Sequence, residues 1–72
     1  MVRFDSKALY AALDKQRRAR GLTWAMVAAE MGVSAATISR TRTGGRMEVD
    51  GMLAMVRGLG VPVETFVRES GR

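Results

Sequence analysis

Cysteine and histidine are both missing from these 72 residues, and much chemistry goes with them. No disulfide can staple the fold, no nitrogen or sulfur ligand set can hold a metal, and neither a serine–histidine nor a cysteine–histidine pair can be assembled. The seven acids are scattered, and Asp5, Asp14, Glu48 and Asp50 show no spacing that demands a shared site. Gly44-Gly45 lacks the strand-to-helix context and the lysine of a phosphate loop. No apolar run approaches the roughly 18 residues that span a bilayer. The N-terminal MVRFDSKALYAALDKQRR has no continuous apolar core of the secretory kind, so a cytoplasmic location is expected. Nothing calls for a cofactor, a metal or a small-molecule ligand, and the expectation is a chain that is not an enzyme. Proline occurs once, and no Gly/Ser-rich or Pro-rich stretch is long enough to link domains. One domain over residues 1–67 is expected, followed by a disordered tail at 68–72.

What is present points to helices. Hydrophobic residues make up 47% of the chain, enough for one small core. The run LTWAMVAAEMGVSAATISRTR, Leu22 to Arg42, reads as two short helices across a tight turn. Ala28 stands four residues before Gly32, where a longer side chain would push the helices apart. Gly32 can take the left-handed conformation that ends a helix. Val33 plugs the core beneath the turn, and Ser34 and Thr23 suit the N-caps of the two helices. Val27, Met31 and Ile38 supply their facing apolar sides.

The rest of the chain supplies three more helices and no strand, giving an all-α, compact five-helix bundle. Helix one is expected from about Ser6, as N-cap, to Arg18, with Leu9, Ala12 and Leu13 as its stripe. Helix four carries Val49, Met52, Val56 and Leu59 inward, with Leu53 and Arg57 exposed. Pro62 opens a short fifth helix that presents Val63, Phe66 and Val67. Of the six methionines, Met31, Met52 and Met55 are assigned to the core.

Charge is distributed unevenly. Lys15 to Arg46 holds seven basic residues against Glu30 alone, a net +6, whereas the remainder holds five basic and six acidic residues, a net −1. The excess brackets the paired helices, as a surface that meets phosphates requires, although a solvated arginine-rich face has the same composition.

These residues resemble the helix-turn-helix of the phage-repressor family, the lambda-repressor-like or Cro-like (XRE-type) regulators, with helices two and three forming the motif. Leu13, Arg17 and Gly21-Leu22-Thr23 are similar to that family's entry to its second helix, and Leu59-Gly60-Val61 with Phe66 to its closing helices, so that about 60 residues agree in order. The resemblance implies a sequence-specific regulator of transcription that binds double-stranded DNA, a homodimeric repressor whose third helix reads the major groove. By that resemblance Ala35, Ala36, Thr37 and Arg40 face the bases, the alanines through methyl contacts and Arg40 through guanine or, alternatively, a phosphate. Arg17, Thr23 and Trp24 meet phosphates on one side, and Ser39, Arg42, Thr43 and Arg46 on the other. Thr23 as a plain cap and Ser39 as a solvated side chain are the structural alternatives. Val61, Pro62, Val63 and Phe66 form the dimer interface.

Three positions depart from the family pattern. Trp24 replaces a common glutamine and either donates its indole N–H to a phosphate or packs. Met26 replaces a glutamate, leaving Thr23 to cap alone. Arg42 replaces a glutamate that pairs with the helix-one arginine, which is expected to leave Arg17 and Arg42 as like-charged neighbours, both free for phosphate. Two other functions fit the same fold: a protein-interaction module, antitoxin-like or an anti-regulator, acting through helix four, and a non-specific architectural DNA binder.

Overall fold

The first helix begins one residue earlier in its capping than the spacing predicts. Asp5, not Ser6, is the N-cap, its carboxylate accepting from the Ala8 N–H at 3.0 Å, and Ser6 is buried inside the first turn. The coordinates are a computed structural model that describes residues 1–69. In chain order they give strand β1 (Val2–Phe4), helices α1 (Ser6–Arg20), α2 (Trp24–Met31), α3 (Ala35–Thr43) and α4 (Val49–Leu59), a 3-10 turn at Val63–Phe66, and strand β2 (Val67–Glu69). No helix among the described residues is long and apolar enough to cross a membrane.

Helix α1 is the central strut. Its Leu9 and Leu13 are fully buried and meet α3 and α4, while α2 packs on α3 and α4. Val27, Ala28, Ile38, Met55, Val56 and Phe66 complete the core. Ala28 is buried where α2 turns into α3, and Gly32 ends α2 at φ 70° with its successor Val33 donating to the Ala28 carbonyl. The left-handed glycine turn expected from the sequence is therefore formed, and Ser34 caps α3 by accepting from Thr37 N–H at 3.1 Å.

Two expectations give way. The fifth helix is a single 3-10 turn. It stops at Phe66 because the chain straightens at Val67 to pair antiparallel with β1, in the register Val2↔Glu69, Arg3↔Arg68, Phe4↔Val67. The tail expected to begin at Arg68 is thus strand through Glu69, and Ser70 to Arg72 lie outside the described residues. Arg68 is held by Asp5 at 3.3 Å and by the Thr65 carbonyl at 2.8 Å, and the Asp5 N–H donates to the Phe66 carbonyl at 2.7 Å, so the two chain ends are zipped together.

Helix α4 keeps its predicted phase except at its first residue. Val49, its first residue, is 62% exposed, and the inward stripe is Met52, Met55, Val56 and Leu59. Two glycines inside α4 make room for its neighbours. A Cβ on Gly51 would lie 3.1 Å from the Thr37 methyl, and one on Gly58 would lie 2.7 Å from the terminal methyl of Met31. The two differ in how readily the neighbour can yield. Thr37 is β-branched and tied to Ser34, whereas Met31 ends in a flexible thioether. Gly58→Ala should raise the melting temperature, though by less than the ~4–8 °C that about 1 kcal/mol of helix propensity gives, because Met31 Cγ and Sδ at 3.1 and 3.2 Å must also shift, while Gly51→Ala gives no gain; thermal melts of the two variants check this.

Candidate nucleic-acid interface

Helix α3 turns only a narrow side inward. Ile38 and Thr41 are its buried residues, and Thr41 satisfies its hydroxyl by donating to the Thr37 carbonyl at 2.8 Å, with the Met55 sulfur 3.7 Å away. At about 100° per residue, the exposed Arg42, Ala35, Ser39, Thr43, Ala36 and Arg40 fall within an arc of about 160°. That arc is a ridge of small side chains flanked by two guanidiniums. It can lie flat in a groove, with the charges at its C-terminal half, where they also suit the helix dipole.

Thr37 is placed differently from the other expected base-facing residues. It is half-buried, its hydroxyl shares a 3.0 Å hydrogen bond with Ser34 and its methyl rests against Gly51, so it works as a strut between α3 and α4. Ala35, Ala36 and Arg40 remain on the exposed face. Thr43 is exposed too, its hydroxyl donating to the Arg40 carbonyl at 3.1 Å, and Arg46 stands exposed in the loop beyond.

A second cluster forms where α1 meets the start of α2. Thr23 caps α2, accepting from the Met26 N–H at 3.1 Å without help from residue 26. Trp24 stacks on Tyr10, ring centroids 4.8 Å apart, and the Arg17 guanidinium lies over the Trp24 ring, 4.9 Å from its centroid. The Trp24 ring is therefore packed, as one of its two expected roles requires. Arg17 is engaged on every side: Nε and Nη2 donate to Asp14 at 3.1 and 2.7 Å, and Nη1 donates to the Leu22 carbonyl at 3.0 Å. It is not left free by the loss of a glutamate at position 42, because Asp14, one turn back on its own helix, has taken the partner's place. The i,i+3 spacing of Asp14 and Arg17 is the signal that sequence reasoning passed over.

Acids are spent where they leave α3 uncompensated. Asp14 also holds Arg18 at 3.1 Å. Glu30, the one acid between Lys15 and Arg46, is bound through both oxygens by Arg20 at 2.6 and 2.8 Å. Those hydrogen bonds hold the Glu30 carboxyl below its usual range and push the Arg20 guanidinium up. The tie is complete above the ordinary carboxylate range and is lost as pH falls through the lowered value, and its exposure keeps its contribution small. Among the described residues, no ion pair holds Arg40, Arg42 or Arg46.

The residues expected at a dimer interface are divided. Val61 and Pro62 are exposed and Val63 is half-buried, but Phe66 is 4% exposed and belongs to the core, edge-on to Phe4 at 5.9 Å. The pairing of β1 with β2 brings Phe4 over it and closes it from solvent.

A family model described as helix-turn-helix matches residues 13–66. No curated protein and no solved structure matches the chain. The matched segment begins at the buried Leu13 and ends at the buried Phe66, so it contains the α3 face and all of the second cluster except Tyr10. The geometry separates their roles. Arg17→Ala should cost about 1–2 kcal/mol in urea unfolding by releasing the Asp14, Leu22 and Trp24 contacts, while Arg42→Ala should leave stability unchanged within about 0.5 kcal/mol.

Proposed function

The chain belongs to the helix-turn-helix family, of the Cro-like or XRE type whose members are DNA-binding regulators of transcription, and from that premise we propose that it is a sequence-specific repressor, acting in the cytoplasm as a homodimer that reads the major groove with α3. The observation that carries this reading is the exposed face of α3, where Ala35, Ala36 and Ser39 are flanked by arginines that hold no ion pair among the described residues. Small side chains let the helix axis approach the base edges closely. Arg40 reaches a guanine, and the alanine methyls pack on thymine methyls.

Phosphates are met on both flanks. Arg42, Thr43 and Arg46 clamp one side, with Ser39 beside them. On the other, the N-terminus of α2 at Thr23 and Trp24 offers backbone N–H groups, and Arg17 acts by holding that helix end in place. Val61, Pro62 and Val63 form the surface by which a second copy sets the distance between two half-sites.

Equilibrium binding to a labelled mixed-sequence duplex, followed by anisotropy over about 50 to 200 mM salt, tests the reading. A steep fall of affinity with salt is expected, together with a rise in melting temperature at saturating duplex. Arg40→Ala should cost about 1–3 kcal/mol against a selected operator and flatten sequence preference, whereas Arg42→Ala weakens all sequences alike. No binding at low salt would sink the proposal and favour the protein-interaction function through α4, where Leu53 is 48% exposed. A melting temperature indifferent to duplex would count equally against it.

A further inference from the structure

Helix α1 runs between the two phosphate-facing clusters, and one edge of it joins them. Tyr10 stacks on Trp24 at the start of α2. Lys7, three residues earlier and about 60° around the helix, lays its side chain over Gly44, the residue that ends α3. A Cβ on Gly44 would meet Lys7 Cε at 2.8 Å and Cγ at 3.2 Å. Gly44 has φ 78° and is next to Thr43. The aliphatic stem of Lys7 thus crosses the C-terminal turn of α3 beside the loop that carries Arg46. Lys7 is exposed, and no ion pair holds it among the described residues.

We propose that Lys7 is a phosphate-binding residue of the DNA interface, placed by the Gly44 contact so that its ammonium continues the row of Arg42, Thr43 and Arg46 onto α1. The inference rests on the DNA-binding reading above. Its physical basis is that a lysine stem laid on a glycine surface gains apolar contact while the charged head stays in water. A competing role exists, because an ammonium at this point also complements the carbonyl end of α3. Such a role is structural, and it would register in stability without altering the number of phosphates neutralised.

Lys15 provides the control. It is exposed on the same helix, about 140° around from Tyr10 and about 80° from Lys7, and about 12 Å further along the axis than Lys7. The experiment compares wild type, Lys7→Gln, Lys7→Arg and Lys15→Gln in salt-dependent anisotropy on one mixed-sequence duplex, with DNA-free melts of each. Lys7→Gln should reduce the slope of log affinity against log salt by about one, so that its deficit relative to wild type narrows about threefold between about 50 and 200 mM salt. Lys7→Arg and Lys15→Gln should keep the wild-type slope. A wild-type slope in Lys7→Gln, with or without a lower melting temperature, overturns the inference and leaves the DNA-binding reading intact. Equal losses in Lys7→Gln and Lys15→Gln also overturn it, since net charge alone then explains the effect. Failure of the wild type to bind duplex removes both.

Discussion

Helix α3 is anchored by two side chains three residues apart, Ile38 and Thr41, and the orientation of everything it displays follows from them. With so little apolar surface of its own, α3 is positioned chiefly by what surrounds it. Thr41 is the unusual member, a polar side chain with no exposed surface. A buried hydroxyl is tolerable only when it is satisfied, and the Thr37 carbonyl one turn back satisfies it without drawing on any other element. Had a large aliphatic residue stood at position 41, Met55 would have to retreat and α4 with it. Thr37 and Gly51 then fix the N-terminal end of α3 against α4, and Lys7 lies over its C-terminal end at Gly44. Three small contacts hold the helix so that its outer arc needs no inward duty.

The same economy governs charge. Four ion pairs among the described residues draw in Arg17, Arg18, Arg20 and Arg68, all outside α3. Asp14 and Glu30 sit on α1 and α2, so the basic residues they meet are those that brace one helix against another or against its own turn. The arginines of α3 and its following loop receive none of this compensation. Self-repulsion there is a modest cost, screened within about 8 Å at physiological salt, and a polyanion lying along the face would relieve it.

Much of the fold was legible in local signals. Gly32, Ser34 and Thr23 each have a backbone task that one residue type performs well, so the turn and both caps could be read directly. The core stripe of α1 was equally plain in Leu9 and Leu13. What escaped was non-local. Three-residue strands are too short to show an alternating period, and β1 finds its partner more than sixty residues away; nothing in Val2-Arg3-Phe4 announces Val67-Arg68-Glu69. The burial of Phe66 is hidden for the same reason, since Phe4, brought by β1, packs edge-on against it. At the candidate site, the outward placement of Ala35, Ala36 and Arg40 is what the family resemblance implies, and the structure leaves all three exposed. Thr37 departs from it, because its second contact, Gly51, comes from a helix whose packing could not be deduced. The missing acid at position 42 suggests a free Arg17, whereas Asp14, one turn back on α1, holds it.

On the proposed reading, the chemistry of the α3 face limits how its specificity can arise. Ala35 and Ala36 offer methyl groups and no hydrogen bond, so each distinguishes thymine from the other bases only by apolar contact. Ser39 has a single hydroxyl that fits several base edges. With Arg42 given to a phosphate, Arg40 is then the side chain left on the face to make a bidentate base contact, which yields about 1–3 kcal/mol of discrimination at one base pair. A single such contact per half-site is far short of the roughly 4–10 kcal/mol that separates specific from non-specific binding. The shortfall can be met by doubling the contact through two-fold symmetry and by the cost of bending or narrowing DNA to suit a fixed spacing. A protein with this recognition face therefore depends on the rigidity of its framework: the struts at Thr37 and Arg17, which touch no base, determine how sharply spacing and shape are read.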